Sequence, residues 1–299
     1  MKKVAVIIVT YNRQPLLAEC IDALAKLKFE RQSTNLDLFV IDNASTDNTQ
    51  SYVQNLKLPN LKYYNTGKNL GGAGGFNYGL KIVGKLNYDY YWLMDDDTIV
   101  HPDSLQSFLE KAAEIKDDFS FMNSVVLWTD NTLCKMNIPS VTANGIANFN
   151  SLKHNLLQID SCSFVSCFIN AKHAQKAGLP ITDFFIYGDD VEYTLRLSKY
   201  VPGFLNPYSV VTHKMKNNAG ADIINEKSDR LDRYFYNFRN LYYILHKYNQ
   251  REFRNFCLKR YYLTFKILFK SKDAKLKRIH ILNKGFRAGK KFHPKVERF

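Results

Sequence analysis

Three consecutive carboxylates, Asp95, Asp96 and Asp97, stand at the end of the apolar run "YYWLM". Like charges repel, and a partly buried carboxylate costs free energy unless a cation answers it. Asp95 and Asp97, as alternate residues, can reach one ion where the backbone turns between them. Hard divalent cations take oxygen ligands, and Mn²⁺ or Mg²⁺ typically uses one or two carboxylates together with substrate phosphates. One aspartate at such a junction would be an ordinary turn former. Three after an apolar strand indicate a cation that carries a diphosphate. A second acidic pair, Asp189 and Asp190, opens the segment "DDVEYTLR". The macrodipole of a helix start stabilises carboxylates, so capping competes there with chemistry. The chemical role is that of a general base, one carboxylate taking the proton of an attacking hydroxyl. His213 closes the β-branched run "SVVTH". A lone histidine is more often structural, and it completes a metal site only where it points at the same rim.

The elements that must position these residues alternate. "KVAVIIVT" (3–10) is a continuous β-branched run, as expected of a strand buried on both faces. An apolar-periodic helix follows from Leu16 to Leu27. "DLFVID" (37–42) is a second strand, and Thr46 or Asp47 caps a helix that runs to about Leu56. "LKYYN" (61–65) and "YDYYWLMD" (88–95) are further strands, with a helix over about 102–115. Beyond lie strands near 120–128 and 160–170, a helix after Asp189, a strand over 209–215 and a helix from about Asp229 to Tyr248. Strands alternating with helices predict an α/β fold with a parallel, doubly wound sheet. Ligands of such sheets bind at the carboxyl ends of the strands. Thr10-Tyr11-Asn12, Asp42, the glycine-rich segment and the aspartates should therefore converge on one rim.

"NLGGAGGFN" (69–77) carries four glycines in five positions and reads as a loop entering a helix. Bare backbone can approach a phosphate or sugar closely, and a helix N-terminus favours anions. The segment does not fit GxGxxG. "GLKIVGK" (79–85) matches GxxxxGK but lacks the following Ser or Thr and lies in a helical pattern, which excludes a phosphate-binding loop of that class. Asp42 stands where many nucleotide-binding sheets place an acid for a base or ribose, and it also reads as a turn aspartate.

The 299 residues are 45% hydrophobic, enough for one large domain or one with an appendage. The five cysteines form no CxxC pair, which points to a reducing compartment and away from zinc. The start does not resemble a signal peptide, and no run reaches the roughly 18 apolar residues of a membrane span. Net charge is +14, and from residue 251 onward sixteen Lys or Arg stand against three Asp or Glu. The body is nearly neutral and the tail is basic. Cations mixed with Phe, Tyr, Leu and Ile suit the interface of an anionic membrane. They equally suit a helical hairpin packed on the body. Nucleic acid is disfavoured, since the tail has no known binding motif and the rim is acidic.

Taken jointly and in order, "VIIVTYNR" (6–13), "VIDNASTDNT" (40–49), "GKNLGGAGGF" (67–76), "WLMDDDTIVHPDSL" (92–105) and "FFIYGDDVEYTLR" (184–196) resemble the family-2 glycosyltransferases of the GT-A fold. The glycine segment, the triple aspartate, the second acidic segment and the later histidine are similar to the galactofuranosyltransferase branch, and rhamnosyltransferase-like members share much of the pattern. Gly188 stands where that branch often has an aromatic. The resemblance implies a catalytic domain over 1–225 and a helical basic region over 226–299. It implies inverting, metal-dependent transfer of a sugar from a UDP- or dTDP-linked donor to a glycan or lipid-linked acceptor in cell-surface polysaccharide synthesis. Such an enzyme would work in the cytoplasm, peripheral to the inner face of the membrane. Thr10, Tyr11, Asn12, Arg13 and Asp42 would hold the nucleotide, and Asn69, Gly71, Gly72, Gly74 and Gly75 would lie against the donor. Asp95, Asp97 and His213 would bind Mn²⁺ or Mg²⁺, with Asp96 near the donor sugar. The second acid of the family's pair is the usual base, which maps to Asp190, with Asp189 as the other choice. A nucleotidyltransferase would show a basic glycine-rich signature near the N-terminus, which "VTYNRQPLL" lacks. A non-catalytic scaffold would have no need of the acids and His213.

Overall fold

The computed structural model describes residues 1–143, 145 and 148–299. Strand β1 (Lys2–Thr10) is the centre of the parallel half of one sheet. It pairs in parallel with β2 (Thr34–Asp42) on one side and β4 (Tyr90–Asp95) on the other, and β3 (Leu61–Asn65) extends β2. Its unbroken Val/Ile run has a direct reason. Val4, Val6 and Ile8 enter one core and Ala5, Ile7 and Val9 the opposite one. Each fully buried Val or Ile contributes on the order of 1.5–3 kcal/mol. Helices α1 (Gln14–Ala25), α2 (Thr49–Asn55), α3 (Gly71–Val83) and α4 (Ser104–Glu114) cover the two faces.

The other half of the sheet is mixed. The short β5 (Thr98–Val100), β6 (Phe121–Leu127), β7 (Ser140–Val141), β8 (Leu157–Ser161), β9 (Cys167–Asn170) and β10 (Gly203–His213) complete an order of β3-β2-β1-β4-β9-β6-β10-β8-β7, with β5 on β10. Strand β9 is antiparallel to both β4 and β6, and β10 runs parallel to β6. Strand β10 therefore points the same way as β4, and His213 at its end arrives on the rim where β4 ends at Asp95. The single strand expected near 160–170 is two strands broken by a turn at Phe164–Ser166. The strand expected from Ser209 begins at Gly203 and absorbs a register shift between Asn206 and Val210. The helix expected to run to about Leu56 is α2, but its N-cap is Asn48 rather than Thr46 or Asp47; Asp47 accepts from the Thr49 amide at 3.0 Å from just outside it.

Short helices α5 (Phe149–Leu152) and α6 (Ala171–Ala177) precede α7 (Asp189–Leu197), and α8 (Tyr234–Tyr248), α9 (Gln250–Lys270) and α10 (Lys275–Lys290) form the basic region. Helix α8 packs Ile244 against Phe184 and Ile181, next to α7. The chain then returns to the body, where Glu297 carbonyl accepts from the Leu179 amide at 2.9 Å and Phe299 stacks on Tyr91. No described helix is long and apolar enough to cross a membrane.

Candidate active site

A cleft of about 710 Å³ opens at the carboxyl rim. Its walls include Thr10, Tyr11 and Arg13 at and after the end of β1, Asn69, Gly71 and Gly72 before and within α3, Asp95 and Asp96 at and after the end of β4, His213, and Asp189 and Asp190 at the start of α7. The expected convergence is therefore real for most of the predicted set.

Asp95, Asp97 and His213 each offer a ligand atom, and the three atoms lie within 4.8 Å of one another. His213 Nε2 is 3.0 Å from Asp97 Oδ1, and His213 Nδ1 is 2.8 Å from Asn137 Oδ1. The Asn137 amide nitrogen donates to Ser163 at 2.9 Å, so its oxygen is the atom left to face the imidazole. That oxygen accepts a hydrogen bond from Nδ1–H and directs Nε2 at the carboxylates, the nitrogen a metal would take once its proton has left. The donor set, two carboxylate oxygens and one imidazole nitrogen, suits Mn²⁺ or Mg²⁺ with positions left for phosphate oxygens.

Cations of the chain compensate the acids only in part. Arg13 reaches Asp97 Oδ2 at 2.9 Å and Asp96 Oδ1 at 3.2 Å, and Thr10 donates to Asp96 Oδ2 at 2.7 Å. Burial and the neighbouring Asp97 push Asp95 up to about 7. Burial raises Asp96 to about 6 against the opposing pull of Arg13. Burial would raise Asp97 too, but the hydrogen bond and charge of His213 hold it below its ordinary value. Burial works against charge on His213, yet Asp97 lifts it to about 10. Three acids against two cations leave the site short of positive charge.

The acidic pair of α7 is split by environment. Asp189 is buried, and desolvation together with the Asp190 charge pushes it well above its ordinary value. Asp190 is half-buried; desolvation raises it to about 6, with the Val191 amide donating to Oδ1 at 2.8 Å in opposition. Burial thus raises both carboxyls, and the more buried Asp189 carries the neighbouring Asp190 charge as well.

The glycine segment is helix from Gly71 onward. Gly71 itself has φ +71°, and a Cβ there would lie 2.0 Å from the Phe185 carbonyl oxygen. Asn69 caps it by accepting from the Gly71 amide at 2.8 Å. Gly72 has open space above it, whereas Gly74 and Gly75 turn away from the cleft, against Leu70 and Val9, and allow close packing. Of this segment Gly71 and Gly72 line the cleft, and Gly74 and Gly75 do not. Asp42 is fully buried at the end of β2, and Tyr63 hydroxyl (2.6 Å) and the Ser45 amide (2.8 Å) occupy its carboxylate. These bonds fix the loop beside the cleft, and Asp42 is not among the cleft's lining residues. Asn12, at φ +53°, accepts from the Thr46 amide at 2.7 Å and ties the turn after β1 to that same loop.

Four contributors escaped the sequence reading. Asn137 orients His213 from a short 3₁₀ turn with no periodicity to mark it. Arg233 and Asn237, from the basic region, line the cleft. Asn240, fully buried on α8, donates to the carbonyls of Phe184, Ile186 and Tyr187 at 3.0, 3.0 and 2.8 Å. It restrains a loop in which Phe185 and Tyr187 both adopt positive φ, at a cost of about 1–3 kcal/mol each. Only the charge density of "SDRLDRYFYNFRN" hinted that this segment was more than a solvated face.

A doubly wound half-sheet with an acidic, histidine-completed rim defines a nucleotide-sugar-dependent glycosyltransferase of the GT-A fold. Residues 5–173 match Glycosyl transferase family 2, more than half of the chain, and the protein belongs to that family. It is 25% identical over 267 residues to the galactofuranosyltransferase GlfT1 of Mycolicibacterium smegmatis, covering 81% of this chain and 82% of that one. It is 32% identical over 117 residues to a GalNAc(5)-diNAcBac-PP-undecaprenol beta-1,3-glucosyltransferase of Campylobacter jejuni, covering 38% of this chain and 36% of that one. In structure it resembles S. aureus TarS 1-349 in complex with UDP (TM-score 0.55, 15% identity, 98% of this chain and 72% of that one). The mannosyltransferase PcManGT of Pyrobaculum calidifontis, in complex with GDP-Man and Mn2+, has the same fold (TM-score 0.55, 16% identity, 97% and 75%). Against the longer TarS chain the protein spans 43% of the length.

Proposed function

We propose that this protein is an inverting, metal-dependent galactofuranosyltransferase that uses a UDP-linked donor and a glycan or lipid-linked glycan acceptor. The observation that carries the reading is the arrangement of Asp95, Asp97 and His213 within 4.8 Å, in a cleft that also holds Asp190. The similarity to GlfT1 over four-fifths of both chains supports the choice of sugar. Rhamnosyl transfer from a dTDP-linked donor is the second reading, favoured by Gly188 in place of an aromatic before the acidic pair.

Asp95, Asp97 and His213 would hold a divalent ion, Mn²⁺ or Mg²⁺. When bound, that ion would offset the negative charge of the departing nucleoside diphosphate. Thr10 and Arg13 hold Asp96 and Asp97 in place, and Arg13 presents its half-exposed guanidinium to an incoming phosphate. Gly72 gives an open backbone approach for the donor at the first turn of α3. Asp190 takes the proton of the acceptor hydroxyl. The freed oxygen forms its bond to the anomeric carbon as the carbon–oxygen bond to the diphosphate breaks on the opposite face. One displacement inverts the configuration, and Asp189, more deeply buried than Asp190, is the other candidate for the base.

A panel of UDP-galactofuranose, dTDP-rhamnose and UDP-N-acetylglucosamine, with donor hydrolysis as the readout, tests this. Turnover confined to UDP-galactofuranose, abolished by EDTA and restored by Mn²⁺ or Mg²⁺, is expected. Preference for dTDP-rhamnose selects the second reading, and full activity in EDTA removes the metal from the reaction.

A further inference from the structure

Helix α9 has one packed face and one bare face. Ile267 is fully buried, with Phe256 and Leu263 beside it against the core formed with α8 and α10. On the other side Leu258, Tyr261, Tyr262, Phe265, Leu268 and Phe269 are exposed, from 41% for Leu268 to 70% for Phe269. At 3.6 residues per turn these six side chains fall in one stripe about 120° wide, opposite Ile267. A stripe of this extent is more than the scattered apolar exposure of an ordinary surface.

The charge around the stripe says what covers it. Lys259, Lys266 and Lys270 recur along one flank, and Arg251 and Arg254 lie at its start. The helix contains a single acid, Glu252, and among the described residues none of its cations forms a salt bridge. Unpaired cations beside Tyr and Phe are the composition of a helix lying in the headgroup region, rings inward and ammonium groups at the phosphates. A second copy of the chain is the poorer occupant, because an antiparallel two-fold contact along this stripe would set the lysine rows near each other, and a parallel one would leave them without an acidic partner on the helix beyond Glu252. We infer that α9 is a docking face for an anionic bilayer surface. It lies apart from the cleft residues and is independent of the donor and acceptor proposed above.

The test is sedimentation of the full chain with vesicles of phosphatidylcholine alone, or with about one-third phosphatidylglycerol. Binding only to the anionic vesicles, weakened by salt, is expected. Lys259→Gln, Lys266→Gln and Lys270→Gln together lower the partition coefficient by about a hundredfold, roughly fivefold per lysine. Phe265→Ser with Phe269→Ser lowers it at least about tenfold. Apart from the half-buried Lys266, both sets alter exposed side chains, and the lysine set keeps the test decisive should the serine pair loosen the helix. Wild-type protein left in the supernatant of the anionic vesicles overturns the proposal. So does unchanged vesicle binding by the serine pair accompanied by loss of a wild-type dimer in light scattering, which would make the stripe a contact between copies. Sedimentation needs no turnover, so its failure leaves the transferase reading intact, and failure of donor hydrolysis leaves this inference intact.

Discussion

At the scale of single residues, Asp190 combines two effects that one substitution separates. Its folded-state value of about 6 lies above its ordinary 3.8, because burial disfavours the ionised form. The charge is therefore a cost to the fold at neutral pH, present in full above about pH 6 and gone by about pH 4, where the carboxyl is protonated in both folded and unfolded chains. Asp190→Asn is expected to lower kcat by about 10²–10⁴-fold with donor affinity nearly unchanged. The same variant is expected to melt a few degrees higher at pH 7, an advantage that shrinks to nothing as pH falls towards 4. Pre-steady-state turnover, donor titration and melting curves across pH check this, and equal loss of donor affinity would make Asp190 structural. In the wild type, turnover should fall as pH drops through about 6. The acids were legible in the sequence because three in a row after an apolar strand have few other uses. Asn137 was not, since a side chain that acts only by fixing the Nδ1 proton of His213 leaves no spacing to read.

At the scale of elements, the parallel strands were legible because a strand buried on both faces has to be a continuous apolar run, as in "VAVIIV". The glycine segment was misread as a loop, and the reason is a contact distant in sequence. Gly71 begins α3 in a left-handed conformation against the Phe185 carbonyl, and the Ala73 amide donates to that same oxygen at 3.2 Å. Asn240 holds the same loop from the other side through three carbonyls. The first turn of α3, the 184–188 loop and α8 thus form one clamp that sets the position of Asp189 and Asp190. Asn240→Leu keeps the volume but takes this donor from the Ile186 and Tyr187 carbonyls, while that of Phe184 keeps the Ile186 amide and Arg239, at about 1–3 kcal/mol. The expected result is a lower melting temperature and a larger loss in acceptor transfer than in donor hydrolysis. Equal losses in both reactions would show that the clamp supports the whole cleft rather than the base.

At the scale of the whole molecule, charge separated a neutral body from a basic region, and the sequence left open whether that region meets a membrane or packs on the body. The structure shows extensive packing. Arg233 and Asn237 reach the cleft, and Phe292 sits against Phe184, with the Arg239 guanidinium 4.0 Å from its ring centroid. Val296 joins the cluster of Ile181, Phe184 and Ile244, Lys81 pairs with Glu297 at 2.9 Å, and Phe299 lies on Tyr91. These contacts were invisible to composition, because a side chain that closes a core from residue 299 looks like any other terminal aromatic. They make a quantitative expectation. Phe292, Val296 and Phe299 are partly buried, and at about 1.5–3 kcal/mol for each full burial their removal should cost roughly 3–5 kcal/mol. A chain ending at residue 291 keeps all of α10 and the exposed stripe of α9. It is therefore expected to unfold at a lower urea midpoint while still binding anionic vesicles. An unchanged midpoint would mean that the terminal segment rests on the body without stabilising it, and the basic region would then be a separable module.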